Sequence, residues 1–426
     1  MDVIEIAALD AVELLAAFAG GQITPLQALQ GVTERIARRN PEVNAFATLN
    51  PAALNAARDS ALRWQEGRAR ALEGVPVTVN DLIDVAGLPT RCGSKTTSSK
   101  PVKRDSPLVA VLRAAGAVIV GKTNVSEFGW KYQGDSPLFG IIRNPWNVLY
   151  TAGGPSGGAA AAAAGFFAPL HISDGAVCVA AAWNGVVGLK VGTMSENQGL
   201  VARSVADVVL LSSILKGQEQ PEKLETSLQG LKIGILRAPG FAALATDQIW
   251  NAVSSAKNIL MDQGAVFLEI EPQLPNVEDV FVEHWGAKCV RDVSAVSSDQ
   301  IAFIDPDLSA LAAQLSAKIP PDKKRYADAC AQATQAIEAC GVDVILCPAV
   351  AGAAPMAGIE TSEPLRALVQ DWAPWTMLFA LTGQSTLTLP MGVDAEGLPI
   401  AVQLAGRGGA EAVLLRVAKA LEAGLG

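Results

Sequence analysis

Histidine is almost absent from this chain. Of 426 residues only two are His, His171 and His284, so a His-dependent triad or a multi-histidine metal site would have to use one of them. Both read as structural residues. The six cysteines, Cys92, Cys178, Cys289, Cys330, Cys340 and Cys347, include no C-x-x-C pair and no His/Cys cluster at zinc spacing. They read as reduced, mostly buried thiols of a cytoplasmic protein, with no metal and no cofactor. Charge is scarce at 18% and aromatics at 5%, while half the chain is hydrophobic; that balance excludes a disordered or fibrous protein. A long apolar run is also missing. The most apolar stretch, Gly157 to Leu170, has about 14 residues, short of the ~20 that span a bilayer. There is no basic stripe, and the net charge is −9, which argues against nucleic acid as a partner. The opening MDVIEIAALDAVELL carries acids and no basic stretch, unlike a secretory leader.

What the chain has in quantity is alanine and glycine, the latter 39 times, as expected where helices and a sheet pack closely. Residues 1–70 read as helices. Asp10 to Ala17 is amphipathic, and Thr24 with Pro25 starts a second helix bearing Leu29, Val32 and Ile36 on one face. Val43 to Leu49 reads as extended, and Pro51 opens a helix to about Trp64. From residue 71 strands and helices alternate. Strands are expected at Val75 to Val79, Ala117 to Gly121, Gly165 to Ile172, Val187 to Lys190, Leu231 to Leu236, Ala265 to Glu271 and Val342 to Ala349, with helices at Pro107 to Ala115, Asp247 to Gly264 and Ala410 to Ala423. Ser385 to Val393 and Pro399 to Gly406 read as a hairpin. The pattern predicts a single α/β/α sandwich over 1–426, its central sheet mixed and largely parallel.

One segment stands out. Gly153-Gly154-Pro155-Ser156-Gly157-Gly158 precedes a run of six alanines. Such a loop offers backbone N–H groups near a helix N-terminus, suited to an anion or an oxyanion. It lacks the Lys-Ser/Thr of a phosphate-binding loop and the G-x-G-x-x-G spacing of a dinucleotide site. Its neighbours, in order, are GVPVTVNDLIDVAGLPTRCGS, LRAAGAVIVGKTNVSEFGW, FGIIRNPWNVLYTAGGPSGGAAAAAAG, GVVGLK, GLVARSVADVVLL, LTGQSTLTLPMG and GLPIAVQLAGR. This ordered set closely resembles the amidase-signature family over nearly the whole chain. The resemblance implies one α/β/α domain and hydrolysis of carboxamide C–N bonds by a Ser–cis-Ser–Lys triad, in which a neutral lysine relays a proton from the nucleophile through the bridging serine and a glycine turn forms the oxyanion hole.

Carried over position by position, the triad is lost. The lysine position is Asn80, whose amide is no base. The bridging serine position is Pro155, which has neither hydroxyl nor N–H. The nucleophile falls on Ala176 when the run is aligned from its right and on Cys178 when aligned from its left. The stretch from Asp174 to Gly185 is two residues shorter than the family pattern, with Gly175 alone left of the oxyanion Gly-Gly. Only VGTMSENQ separates Lys190 from Gly199, so a wall of the pocket is expected to be missing. Ser156 matches the second serine of the Gly-rich motif and Asp174 the acid that fixes the nucleophile loop. Asn80 reads as a loop-bonding amide, Cys178 as a small apolar filler with no His or Lys nearby, and Ser156 as structural. Gly153, Gly154, Ser173, Asp174 and Gly175 complete the region of the former substrate and oxyanion loops. Two readings follow: a protein that has lost catalysis and serves as a binding, scaffold or complex subunit, or an amidohydrolase rebuilt on Cys178, Ser173 or Ser156. Either leaves room for a small amide ligand, a protein partner subunit or a homo-oligomer. The bond before Pro155 is expected to be cis, because that geometry costs about 0.5–1 kcal/mol before proline against about 2.5–4 before other residues.

Overall fold

The computed structural model describes residues 3–425 except 192–197, 219–223, 226, 241–243, 276, 317–322 and 360–370. The strands are β1 (Phe46–Leu49), β2 (Pro76–Asn80), β3 (Val118–Thr123), β4 (Asp135–Ser136), β5 (Gly140–Ile141), β6 (Leu170–Ser173), β7 (Val187–Val191), β8 (Gln198–Ala202), β9 (Lys232–Leu236), β10 (Val266–Ile270), β11 (Val344–Pro348), β12 (Ser385–Val393) and β13 (Pro399–Gly406). Among the described residues, eleven of them make one sheet in the order β1-β3-β2-β6-β8-β7-β12-β13-β11-β9-β10, and β4 and β5 form a separate small ribbon. The sheet is mixed. Parallel pairing is concentrated on its two flanks, β3-β2-β6 and β11-β9-β10. The middle, from β6 through β8, β7, β12 and β13 to β11, runs antiparallel.

Alternation along the strands explains the layers. In β11, Val344 and Leu346 enter one apolar core while Ile345 and Cys347 enter another; in β13, Val402 and Leu404 face the first core while Ala401 and Ala405 face the second. A period of two places these sets on opposite faces, so both faces are covered. Helices Ala11–Ala19, Val205–Leu215, Asp247–Asp262 and Glu411–Gly424 pack on the first face, and Val277–Ser294, Lys323–Glu338 and Pro374–Thr382 on the second. The N-terminal helices share the first core with the sheet, so the chain is a single α/β domain. β2 is buried at all five positions because parallel neighbours flank it and helices cover it.

Local signals account for the early helices. Thr24 and Gln27 form a reciprocal capping box ahead of Pro25–Val43. That helix runs through Val43, which the sequence pattern suggests is extended. Asn44 then takes a left-handed conformation (φ 59) and ends it, so the strand begins only at Phe46. A second correction concerns Gly165 to Ile172. Gly165 caps the alanine helix and Phe166 turns left-handed (φ 59), leaving only Leu170–Ser173 as strand. Strand β8 and helices Cys178–Asn184 and Val205–Leu215 are not foreshadowed by the sequence pattern. The last is buried on nearly every side, its polar Asp207, Ser212 and Ser213 included, so it shows no amphipathic stripe. Most of the shortened VGTMSENQ stretch lies outside the described residues. Among the described residues no helix is long and apolar enough to cross a membrane.

Candidate functional site

The parallel register of β2 and β6, Val79 beside Ile172, brings their C-terminal ends together. Asn80 ends β2 and Ser173 ends β6. The Asn80 amide is oriented by its own backbone: Oδ1 accepts from the N–H of Leu82 at 2.6 Å, so Nδ2 faces the site. Nδ2 donates to Ser173 Oγ at 2.8 Å and to Asp174 Oδ1 at 3.3 Å. The Gly-rich loop supplies Ser156, whose Oγ lies 2.5 Å from Ser173 Oγ and 3.1 Å from Asp174 Oδ1. Ser173 Oγ is itself 3.0 Å from Asp174 Oδ1. Two hydroxyl protons therefore serve three contacts, and the Asp174 carboxylate is the acceptor on which they converge. Asn80, Ser156 and Ser173 are fully buried, while Asp174 and Ala176 are half-buried.

Packing fixes this loop tightly. The Gly154–Pro155 bond is cis. A Cβ on Gly134 would come 2.1 Å from the Gly153 carbonyl oxygen, and one on Gly158 would come 2.2 Å from that of Asn124. Gly129 (φ 69) presents its bare Cα to Leu82, Pro155 and Asp174. Gly175 is left-handed (φ 97) and abuts Gly199 of β8. Sequence reasoning missed Gly129, Gly134 and Gly199, because each matters through a neighbour distant in the chain.

The other site residues lie apart from this cluster or offer no base. Asp81, next to Asn80, is held by the ammonium of Lys122 on β3 at 3.0 Å, both side chains fully buried. Cys178 begins helix Cys178–Asn184 and its Sγ lies 3.1 Å from Thr386 Oγ1 on β12. Burial pushes its thiol pKa up, with Thr386 and Lys190 pulling weakly the other way, so it stays protonated and unreactive. The expectation of no lysine near Cys178 is corrected here: β7 brings in Lys190, buried, with its pKa lowered by burial and its ammonium donating to the carbonyls of Gln384 (3.0 Å) and Phe379 (3.4 Å). Tyr132 is buried close to Cys178 and Asp174. Burial above all holds its hydroxyl protonated. Among the described residues no group of three or more His, Cys, Asp or Glu could hold a metal ion.

The Amidase family pattern matches residues 27–415, nearly the whole chain. The chain belongs to the amidase family. Among its amidase-family relatives, a glutamyl-tRNA(Gln) amidotransferase subunit from Roseiflexus castenholzii is 30% identical over 95% of this chain and 93% of its own. A putative amidase AmiC from Mycobacterium bovis is 28% identical over 97% of this chain and 94% of its own. The crystal structure of a bacterial aryl acylamidase of the amidase-signature enzymes superposes with a TM-score of 0.86 at 20% identity, covering 98% of this chain and 96% of that one, which establishes the amidase fold. Set beside the triad that the resemblance implies, the cluster described above has an amide in place of the lysine and a proline in place of the bridging serine. Ser156 and Ser173 are drawn together in the space between.

Proposed function

We propose that this amidase homologue no longer hydrolyses amides and works as a binding or complex subunit. The observation that carries the reading is Asn80. A serine nucleophile needs a base able to take its proton near neutral pH. The position that supplies it in the family holds an amide that only donates to Ser173 and Asp174. Pro155 removes the relay, the nearby Lys122 is committed to Asp81, and the Cys178 thiol is kept protonated by burial. A role within a complex is supported by the relative that is itself one chain of an amidotransferase. The ligand held in such a role would be a small amide, and the partner a protein chain.

A second reading is favoured by one contact. Ser156 and Ser173 lie 2.5 Å apart with Asp174 in reach of both, an arrangement that would suit a slow hydrolase using either serine. One experiment separates the two. The purified chain is incubated with benzamide, acetanilide and glutamine, and ammonia or aniline release is followed against a buffer blank. The first reading expects no turnover above blank, since losing nucleophile and base removes several orders of magnitude of rate. Turnover abolished in Ser156→Ala or Ser173→Ala establishes the second.

A further inference from the structure

Helices Gly157–Ala164 and Cys178–Asn184 carry the candidate site at their N-terminal ends, and at their C-terminal ends lies a different cavity. It is an open cleft of about 410 Å³, within the range of small-molecule sites, lined by Arg35, Arg39, Arg203, Trp146, Phe166 and Asn184, among others, with no carboxylate in its lining. A helix of this length puts it roughly 12 Å from Ser156. In a chain of net charge −9, three guanidinium groups around one cleft are unexpected.

Part of the arginine chemistry is structural. Arg203 bonds the carbonyls of Ala8, Leu9 and Ala168 and pairs with Asp10 at 3.1 Å. Arg35 Nε donates to the Gly165 carbonyl at 3.0 Å, closing the alanine helix. Part of the remainder is unspent. Among the described residues the two Nη groups of Arg35 meet no acceptor and no carboxylate. Arg39 donates through Nη2 to the Pro145 carbonyl at 3.3 Å and pairs with Glu42 at 3.7 Å, while its buried Nε makes no hydrogen bond. Burial first, then the neighbouring charges of Arg39 and Arg38, presses the Arg35 pKa down. The apolar side is also built. The Trp146 indole is half exposed yet fixed by its N–H on the Asn184 carbonyl at 2.8 Å, and Phe166 is capped by Arg203 at 4.8 Å and Arg35 at 5.7 Å.

We propose that this cleft binds a small anion carried on a planar ring, an aryl carboxylate or aryl phosphate, with Arg35 and Arg39 on the anionic oxygens and Trp146 against the ring. Arginine forks match such oxygens in geometry, and indole faces take flat rings. The site is separate from the Ser156–Ser173–Asp174 cluster and does not depend on whether that cluster is active.

The test is titration of the full chain with phenyl phosphate, phenylacetate, inorganic phosphate and benzyl alcohol, followed by calorimetry and tryptophan fluorescence. At least one aryl anion binds one to one, and more tightly than inorganic phosphate or benzyl alcohol; which of the two aryl anions binds better identifies the anionic group. Arg35→Gln with Arg39→Gln raises its Kd at least about tenfold, the worth of one charge-assisted hydrogen bond. Arg38→Gln, on the same helix but paired with Glu34 and outside the lining, changes Kd far less than the double substitution does. Trp146→Ala weakens the aryl anion and spares inorganic phosphate. Absence of aryl-anion binding up to about 10 mM, or a Kd unmoved by the double substitution, overturns the proposal. Should the double variant fail to fold, phenylglyoxal labelling of the unaltered chain decides instead: phenyl phosphate protects Arg35 and Arg39, and equal labelling with and without it overturns the assignment.

Discussion

Asn80 links Ser173 and Asp174 through its side-chain amide, donating to both, but it cannot take a proton back. Asn80, Pro155 and either Ala176 or Cys178 could be set against the triad positions that the resemblance implies because they fall inside long motifs. The contact between Ser156 and Ser173 was not legible in the sequence, because Ser173 is placed by the register of two parallel strands 93 positions apart. This sets a first prediction. On the triad that the resemblance implies, Asn80→Lys, Pro155→Ser and Ala176→Ser combined would supply the three functional groups but not the two residues by which the Asp174 to Gly185 stretch falls short of the family pattern. No amide turnover is expected from the triple variant, and ammonia release above blank would show that the shortened turn still stabilises an oxyanion. A second prediction concerns His171. Its Nδ1 lies 2.5 Å from Thr78 Oγ1 and its Nε2 2.9 Å from the Ala168 carbonyl, so Nε2 carries the proton and the ring is neutral. Burial lowers its pKa to about 3. The unfolded chain takes up this proton from about pH 6.5 downward and the folded chain does not, so stability drops as pH falls from about 6.5 towards 3. His171→Gln removes that acid-side loss, as read from urea midpoints between pH 4 and 7.

At the scale of elements, capping residues and period-two strands carried most of the legible structure. Thr24 and Ser106 each cap a helix from its own sequence, and the β12–β13 hairpin closes over Asp394 to Leu398 as its turn residues predict. What stayed hidden were elements defined by distant partners: β8 pairs with β6 and β7, and helix Cys178–Asn184 lies buried against several of them. Helix Gly157–Ala164 gives a prediction that separates two forces. Replacing Gly158 with alanine gains about 1 kcal/mol of helix propensity. The added methyl would meet the Asn124 backbone at 2.2 and 2.6 Å and the Ala45 carbonyl at 2.8 Å, and backbone cannot step aside. Packing wins: Gly158→Ala is expected to lose about 2–4 kcal/mol net, measured by denaturant melts. An unchanged or raised midpoint would mean the sheet can move away from this helix.

The whole molecule is tied across its first and last segments by a few buried polar groups. Asp207 accepts from the backbone N–H of Ala11 (2.8 Å) and Val12 (3.0 Å), holding the start of an N-terminal helix against a helix nearly 200 residues later. Glu422 in the last helix accepts from Val205 N–H in the same place. Burial raises the Asp207 pKa to about 7, against the pull of those two N–H groups and Arg203. The sign is opposite to that of His171. The unfolded chain loses this proton near pH 4 and the folded chain keeps it, so stability is lost as pH rises from about 4 to 7. Between about pH 4 and 6.5 the two groups offset each other, each worth about 1.4 kcal/mol per pH unit. Asp207→Asn should expose a rising slope and His171→Gln a falling one, and parallel profiles in all three proteins would refute the assignment. The Gly-rich loop bears on the fate of such a molecule over generations. Its glycines are wedged against Trp183, Gly134 and Asn124, so any side chain there disturbs folding whether or not the protein has a reaction to perform. Its hydroxyls are under no such constraint. In a lineage descended from this chain the glycines are therefore a record of architecture and the serines a record of use, and the two can drift on separate clocks.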